Sequence, residues 1–476
     1  MSPGKRIRVA DVVRRQRTPR LDAVTVLALV IPLLTIGLLA LVRQPPVHDT
    51  TQSPALTRLT NATVVCPAAA PGAPDGVVST GSGSSGEVTA DADGQKASVS
   101  VSPGAVSALP GPGSVVVQGS DDLAPGLLGL RSGTAPLTAQ DCSVPSSEQW
   151  FTGIGSGADH DSIVELVNPD SGRADADITL YGSHPFSVRK LHGITIPAHK
   201  TVTLDLGRIA PKRILLSAQV QVSRGRLGVH VLDSRTDLVS HRVRREWLPR
   251  QDAPALDNQL LGLPAGAGTR TLQLANPGQD VVRAKVRIIT GDTTFAPAGL
   301  GTVSVKPGAT TSVSLTKVLD KALADGALGV EVSADAPVSA SVVTELATDE
   351  ALTVPDPDIR VEAATLLPVT PTQGSAGKKA PTPVKATLYV SADASGSSAV
   401  TAYDATGKKL LDQRVAQQDG HTATVALPKG TAFLRVVPQG TVVRASVVLT
   451  GDGATVIPLH ELLTQGLVPQ IQPGLN

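Results

Sequence analysis

Two segments of this chain carry the same pattern of residues. Residues 163–182 read IVELVNPDSGRADADITLYG, and residues 272–291 read LQLANPGQDVVRAKVRIITG. Asn168 of the first segment and Asn276 of the second both precede a proline, and they lie 108 residues apart. Solenoid and propeller units recur at periods of roughly 20–50 residues. The longer period therefore indicates that a whole domain was duplicated.

The correspondence extends beyond these segments. Residues 194–206 (ITIPAHKTVTLDL) match residues 303–315 (VSVKPGATTSVSL). Residues 218–231 match residues 328–343 in the same way. A third, weaker copy begins near Leu366, so the duplication has occurred more than once.

Apolar and polar residues alternate within each copy. In the first full copy the apolar set is Ala174, Ala176, Ile178 and Leu180. A period of two with one polar face is typical of an antiparallel sheet that is covered on one side. Short strands with frequent turn signals predict an all-β fold of tandem immunoglobulin-like β-sandwich repeats. The alternative is a β-propeller with two blades per repeat.

The predicted organisation has eight segments. They are a basic cytoplasmic tail (1–20), a transmembrane helix (21–42), a linker (43–58), a degenerate N-terminal β domain (59–142), sandwich repeats at 150–252, 257–352 and 361–462, and a C-terminal tail (463–476).

The N-terminal region has the composition of a membrane anchor. Residues 21–42 read LDAVTVLALVIPLLTIGLLALV, long enough as a helix for a hydrocarbon core of about 30 Å. Residues 1–20 hold seven Lys or Arg and one Asp, which predicts a cytoplasmic N-terminus and an extracytoplasmic remainder. The alternatives are a cleaved signal peptide, for which the residues after Val42 are unsuitable, and a basic nucleic-acid-binding tail.

The chain has two cysteines, Cys66 and Cys142. In an extracytoplasmic chain such a pair predicts a disulfide, and two buried thiols are the alternative. The cysteines have no neighbouring histidine cluster, so a zinc site is not expected.

The order of several motifs resembles a known family. Cys66-Pro67, a second cysteine, WFTGIGSG (150–157) and LVNP (166–169) are similar to motifs of actinobacterial envelope proteins of unknown function. The resemblance implies one N-terminal anchor and a repeated, β-rich exterior. It implies no catalytic residues.

The motifs that suggest a reaction or a metal are each incomplete. Residues 150–161 contain three glycines, but a strand follows them where a phosphate-binding loop needs a helix, so we predict a flexible loop. Asp159, His160 and Asp161 are expected to lie in that solvated loop. Residues 168–177 lack the spacing of a calcium loop, and HELLT (460–464) lacks the second histidine of a zinc protease. We therefore predict no catalytic, cofactor-binding or metal-binding residues.

Basic residues are concentrated between positions 208 and 250. We predict that five of them form an exposed patch that binds an anionic partner, whereas the alternative is an ordinary polar sheet face. These residues are Arg224, Arg226, Arg242, Arg244 and Arg245.

Only two Trp, three Tyr and four Phe are present. Few aromatic side chains are thus available for a groove that stacks bases or sugars, and no nucleic-acid partner is expected. The sequence predicts a non-enzymatic, single-pass envelope protein that binds an anionic wall polymer or another envelope protein. The alternatives are an accessory subunit of a membrane glycosyltransferase or similar envelope-assembly machine, and a cell-wall hydrolase with an unrecognised site.

Overall fold

The computed structural model describes residues 23–41, 55–134, 137–368 and 384–468. The chain divides into two compact bodies. One comprises Met1–Ala55 and Leu467–Asn476, and the other comprises Leu56–Gly466. The predicted basic tail, most of the linker and most of the C-terminal tail lie outside the described residues.

The described helix of the first body is α1, Ala23–Leu41, which contains Pro32. It lies within the predicted span of residues 21–42. The structure describes its side chains at residues 26–28 and 30–37. Within the described residues, no helix combines the length and the apolar character that a membrane crossing requires.

The second body is nearly all β and contains four modules. Strand β1 (Ala55–Arg58) precedes them, and strand β34 (Gln465–Val468) follows them. Module 1 (residues 59–143) has two four-stranded sheets of order β2-β7-β4-β5 and β6-β3-β8-β9. Its strands are β2 Asn61–Cys66, β3 Asp75–Thr80, β4 Gly86–Ala92, β5 Gln95–Val101, β6 Ser107–Ala108, β7 Val115–Ser120, β8 Leu127–Thr134 and β9 Leu137–Asp141.

A disulfide joins Cys66, at the end of β2, to Cys142, directly after β9. The predicted pairing is therefore confirmed. Both residues are buried in the core between the two sheets of module 1, beside Val78 and Val117. The disulfide connects the first and last strands of the module.

Module 2 (residues 146–251) also has two layers. Strands β13-β12-β15-β10 form one layer and β14-β11-β16-β17 the other, and the layers join where Ser156 pairs with Asp161. The elements are β10 Glu148–Ser156, β11 His160–Val167, β12 Ala174–Tyr181, β13 Ile194–Ile196, β14 Thr201–Asp205, α2 Leu206–Ile209, β15 Arg213–Arg224, β16 Gly228–Thr236 and β17 Val243–Trp247.

Module 3 (residues 255–354) repeats this plan with one change. Its elements are β18 Ala255–Leu261, β19 Gly268–Asn276, β20 Val282–Ile289, β21 Thr294–Phe295, β22 Val303–Val305, β23 Ala309–Ser314, α3 Thr316–Ala324, β24 Gly329–Leu346 and β25 Glu350–Thr353. Strand β24 has 18 residues and serves both layers. Its first half pairs with β18 and β20, and its second half pairs with β19 and β25. In module 2 the separate strands β15 and β16 make the equivalent pairings.

Module 4 (residues 359–462) has sheets of order β26-β31-β28-β29 and β30-β27-β32-β33. Its strands are β26 Ala363–Leu366, β27 Lys385–Ala392, β28 Gly396–Tyr403, β29 Lys409–Gln417, β30 Thr422–Ala426, β31 Phe433–Gln439, β32 Val443–Thr450 and β33 Ala454–Pro458. Its core also includes Leu130 and Leu137 of module 1, so the first and last modules pack together.

The last strands of the four modules contact one another. Strand β9 contacts β17, β17 contacts β25, β25 contacts β33, and β33 contacts β9. We call these four strands the central ring. Because the contacts close on themselves, each module has neighbours on both sides.

Asn168 of module 2 and Asn276 of module 3 occupy equivalent positions and make equivalent hydrogen bonds. Asn168 Nδ2 donates hydrogen bonds to the carbonyls of Gly172, Ile196 and Pro197. Asn276 Nδ2 donates to the carbonyls of Asp280, Val305 and Lys306 at the equivalent places. Both side chains are buried. The Asn-Pro motif therefore ends a strand and also ties its turn to the next strand.

The predicted flexible loop at residues 150–161 is wrong except at residues 157–159, which form a bend between two strands. Residues 148–156 form the buried strand β10, because their apolar side chains pack in the core of module 2. Gly153 has a φ of 105° at a bulge, and a Cβ there would lie 2.5 Å from Leu352 Cδ2. A Cβ at Gly155 would overlap the ring of His160. These glycines allow close packing of the strand.

Candidate functional site

The five predicted binding arginines lie in two groups. Arg224 and Arg226 stand around the turn between β15 and β16, whereas Arg242 directly precedes β17 and Arg244 and Arg245 lie in it. Arg244 pairs with Arg235 near the far end of β16. The nine residues of β16 therefore separate the groups by roughly 30 Å. The structure does not bring the five side chains into one patch.

Three of these arginines contact neighbouring structure. Arg226 Nη2 lies 3.0 Å from Asp170 Oδ1, and Arg244 Nη2 lies 3.1 Å from Glu345 Oε2 of module 3. Arg242 Nη1 donates to the carbonyl of Ala347, also in module 3. Arg242 and Arg244 thus take part in the contact between modules 2 and 3. That any of the five binds an anionic partner stays a prediction.

A buried cluster of carboxylates lies beside the central ring, where modules 2 and 3 meet. Arg235 Nε lies 2.7 Å from Glu350 Oε2 and 3.5 Å from Asp233 Oδ2, and its Nη1 lies 2.9 Å from Glu345 Oε1. Asp233 also accepts hydrogen bonds from His160 Nε2 at 2.9 Å and from the Ser162 hydroxyl. Removing one partner of such a buried ion pair leaves an uncompensated charge.

The central ring adds two further acids to this region. Burial and the nearby Asp349 raise the pKa of Glu246 well above its ordinary value, and burial raises the pKa of Asp349 to about 7. Glu246 Oε1 accepts a hydrogen bond from the Thr138 hydroxyl of module 1. Asp349 Oδ2 accepts one from the Ala454 N–H of module 4. These two side chains therefore join modules across the ring.

Cleft 1 lies between modules 1 and 2 and encloses about 270 Å³. It is lined by Ala68, Ala69, Asp93, Gly113, Ser114, Ile163, Glu165, Thr201, Thr203, His230, Leu232 and Trp247. Burial raises the pKa of Glu165, whose carboxylate accepts a hydrogen bond from Ala68 N–H at 3.2 Å. Burial lowers the pKa of His230 to about 3, so this histidine is neutral near pH 7. The ionisable lining of cleft 1 is therefore acidic.

Cleft 2 lies between modules 2 and 3 and encloses about 390 Å³. It is lined by Ser183, Lys212, Arg213, Ile214, Leu215, Arg235, Thr271, Gln273, Ser312, Val343 and Glu345. Three cations and one carboxylate are in this set, and because Arg235 is paired with Glu345 and Glu350, the positive charge of the lining comes from Lys212 and Arg213. Both volumes are near the lower end of the range for small-ligand sites, roughly 300–1,000 Å³.

The two clefts use equivalent sheet positions. Glu165 pairs with Thr203 on one side and with His230 on the other. Gln273 pairs with Ser312 and Ser341 in the equivalent strands of module 3. The neighbouring module supplies the opposite wall in each case. Thr201 bonds Ser114 of module 1 at 2.7 Å, and the equivalent Thr310 donates to Tyr181 O of module 2 at 2.7 Å.

The described histidines of module 2 are not brought together into a metal-binding group. His160 is buried rather than solvated, because its ring bonds Asp233. His184 bonds Ser183, and His192 lies near Asp177. Among the residues that the structure describes, no group of three or more His, Cys, Asp or Glu side chains is placed to hold a metal ion. Sequence patterns gave no signal for either cleft, since their walls come from different modules.

The fold and the clefts define an all-β protein built from two-sheet modules. A model of a family of unknown function, DUF5719, matches residues 88–428. Because this match covers well over half of the chain, the protein belongs to that family. The predicted membership of an uncharacterised family is therefore confirmed.

Other comparisons are weak. No curated protein matches the chain significantly. The crystal structure of Streptomyces avermitilis α-L-rhamnosidase complexed with L-rhamnose is 10% identical, with a TM-score of 0.11. The alignment covers 82% of this chain and 57% of the rhamnosidase. At this level the likeness supports no statement about fold or activity.

Proposed function

We propose that this protein is a single-pass, membrane-anchored envelope protein whose β modules bind a partner outside the membrane without catalysis. The observation that carries the proposal is the pair of polar clefts at equivalent positions between successive modules. Clefts between domains are common places for ligands. Here buried contacts hold the walls of each cleft together, so the protein presents two preformed sites.

The location is supported by the N-terminal sequence and the disulfide. Seven basic residues precede the apolar segment 21–42, which favours a cytoplasmic N-terminus. Disulfides such as Cys66–Cys142 persist in oxidising compartments outside the cytoplasm. Both features agree with export of everything after Val42.

We further propose that the modules are tandem copies of one immunoglobulin-like sandwich. The same strand pairings recur in modules 2 and 3, and both modules use the buried Asn168 or Asn276 in the same way. Each of these modules buries a core of its own. Duplication of a closed two-sheet unit explains all three observations.

A hydrolase is the second candidate function, and one observation favours it. Cleft 1 contains two carboxylates, Asp93 and Glu165, and burial raises the pKa of Glu165. Paired carboxyl groups in different environments are the usual acid and base of glycoside hydrolysis. Under this alternative, Glu165→Gln abolishes cleavage of wall glycan. Under the binding proposal, the native protein releases no soluble fragments from the same glycan.

The test has two parts. A reporter that is active only outside the cytoplasm is fused after residue 60, and a cytoplasmic reporter is fused at the same place as the control. We expect activity from the first reporter alone, and activity of the second would reject the anchor.

The binding function is tested by sedimentation. The detergent-solubilised full chain is sedimented with purified insoluble cell-wall polymer, and we expect it to co-sediment. Failure to sediment at both low and physiological salt would reject the binding function.

A further inference from the structure

We propose that cleft 2 binds a saccharide unit that carries an anionic group, either a carboxylate or a phosphate. This inference rests on the proposed binding function and names the class of ligand. It is carried by the charges, the unsatisfied polar atoms and the apolar surface that meet in this one cleft.

Two exposed cations stand at the mouth of the cleft. Lys212 adopts a left-handed conformation, with a φ of 66°, at the start of β15, and Arg213 follows it. The Arg213 guanidinium lies over the Phe186 ring, 4.5 Å from its centre. This contact orients the side chain. Among the ion pairs of the described residues, neither cation has an acidic partner, so both are available to an anion.

A third cation lies deeper in the cleft. Arg235 is 15% exposed, and its Nε and Nη1 atoms face Glu350 and Glu345. Its Nη2 atom is buried and has no hydrogen-bond partner among the described residues. A buried N–H without a partner is costly, so a ligand oxygen that accepts this hydrogen bond gains stabilisation.

The remaining lining suits a ring that carries hydroxyl groups. Gln273 is 5% exposed, and its Oε1 has no hydrogen-bond partner among the described residues, so it can accept from a ligand hydroxyl. The Thr271 and Ser312 hydroxyls lie in the same wall. Ile214, 71% exposed, offers apolar surface to the C–H face of a sugar.

The cations, the polar atoms without a hydrogen-bond partner and the exposed apolar surface of Ile214 together select the ligand class. A simple inorganic anion leaves the apolar surface of Ile214 in water. A neutral sugar satisfies Gln273 and covers Ile214, but leaves the positive charge without a partner. An acidic or phosphorylated sugar meets all three requirements, and the volume of about 390 Å³ accommodates a small ligand of this kind.

The experiment uses the full chain in detergent and isothermal titration at low salt. The probes are glucuronic acid, glucose 6-phosphate, glucose and inorganic phosphate. We expect at least one charged sugar to bind at least tenfold more tightly than glucose and than inorganic phosphate. The preferred charged sugar tells whether the anion is a carboxylate or a phosphate.

Variants then place the binding in cleft 2. Lys212→Gln with Arg213→Gln removes two exposed charges and leaves the buried ion pairs untouched. We expect this double variant to weaken binding of the charged sugar at least tenfold with an unchanged melting temperature. Arg283→Gln with Lys285→Gln is the matched control, because it removes one arginine and one lysine from the exposed face of β20, outside the lining of cleft 2, and it should bind normally.

Gln273→Leu keeps the side-chain size and removes the acceptor, so the preference for the charged sugar over inorganic phosphate should fall. The inference is overturned if neither charged sugar binds at millimolar concentration, if glucose binds as tightly, or if the double variant binds as the native protein does. When the sugars fail but the protein still co-sediments with wall polymer, the proposed binding function stands and only the ligand class is wrong.

Discussion

Cleft 1 and cleft 2 occupy equivalent positions, yet their walls differ in charge. Glu165 of cleft 1 corresponds to Gln273 of cleft 2, and His230 corresponds to Ser341. Cleft 1 has two carboxylates in its lining, whereas cleft 2 has three cations and one carboxylate. Modules 2 and 3 thus present the same strand pairings to the two clefts, whereas the three cations of cleft 2 come from the opposite wall, which module 2 supplies there and module 1 supplies in cleft 1.

The clefts also differ in the contacts that join the two modules beside each of them. Arg235 of cleft 2 belongs to the buried carboxylate cluster, which ties module 2 to module 3. Cleft 1 has no equivalent ion-pair network among the described residues. Module 1 contacts module 2 through hydrogen bonds, among them Ser114–Thr201 and Ala68–Glu165, and through a small apolar cluster around Val65 and Val167. Changes at Arg235 of cleft 2 should therefore affect stability more than changes in the lining of cleft 1.

The largest effect is expected from Arg235→Met. This change leaves Asp233 and Glu350 buried without their cation, which should lower the free energy of unfolding by about 3–5 kcal/mol. Urea unfolding monitored by tryptophan fluorescence measures the loss. The matched control is Arg224→Met, an exposed arginine, for which we expect less than about 0.5 kcal/mol. A small loss in both variants would show that the cluster does not hold modules 2 and 3 together.

The next largest effect concerns the two equivalent asparagines. Asn168→Ala and Asn276→Ala each leave buried carbonyls without a donor, and we expect about 2–4 kcal/mol of destabilisation for each. Because the hydrogen bonds are the same, the two values should agree within about 1 kcal/mol. Asn61→Ala, at an exposed asparagine, is the control for a change of residue type. A large difference between Asn168 and Asn276 would contradict the energetic equivalence of modules 2 and 3.

A smaller effect should appear as a dependence on pH. Burial raises the pKa of Asp349 to about 7 and that of Asp356 to about 8, above the unfolded value of about 3.9. The folded protein thus holds these protons more tightly, and stability falls as pH rises through the folded pKa values. Burial lowers the pKa of His230 and His460 to about 3, which has the opposite effect, but only below about pH 6.5.

Above pH 6.5 the carboxyl groups therefore determine the slope. Stability should decrease between pH 6.5 and 8 by up to about 1.4 kcal/mol per pH unit for each carboxyl group. Asp349→Asn should reduce this slope because it removes one titrating carboxyl group. The fold should be kept, since the amide oxygen can still accept the hydrogen bond from the Ala454 N–H. Denaturant unfolding across the range provides the measurement. A flat profile for the native protein would mean that these acids are ionised in the fold.

The smallest change in stability is expected from Glu165→Gln, which gives cleft 1 the residue type found in cleft 2. The amide oxygen can keep the hydrogen bond from Ala68 N–H. We expect a change below about 1 kcal/mol at pH 7, towards greater stability, because burial disfavours the ionised carboxylate. Urea unfolding at pH 6 and pH 8 should show a larger gain at the higher pH. A marked loss of stability would indicate that Glu165 supports the contact between modules 1 and 2.

Local features of the fold were predictable from the sequence. The alternation in residues 174–181 identified β12, because side chains on a strand point to opposite faces in turn. The matching Asn-Pro segments predicted equivalent turns in modules 2 and 3. The pairing of Cys66 with Cys142 followed from the presence of two cysteines only. Each of these inferences depends on neighbours in sequence or on a small number of choices.

The glycine-rich stretch was not predictable in the same way. Gly153 and Gly155 suggest a flexible loop when only the sequence is considered, yet they lie in a buried strand. Leu352 of module 3 and His160 of the adjacent strand fill the space that their missing side chains leave. Glycine favours flexibility in an open chain and close approach in a packed one, and only the neighbours decide between these outcomes.

The sequence by itself determined alternating strands such as β12, the equivalent Asn-Pro turns of modules 2 and 3 and the disulfide pairing, because the information for each lies in a local pattern or in a count of residues. Only the tertiary structure decided which modules meet, that four closing strands contact one another in the central ring, and that the basic residues of 208–250 are divided between distant places. It also decided the charge of each cleft, since Lys212 and Gln273 come from different modules. Contacts between residues so far apart in sequence depend on how modules pack, and that packing leaves no periodic signal in the chain.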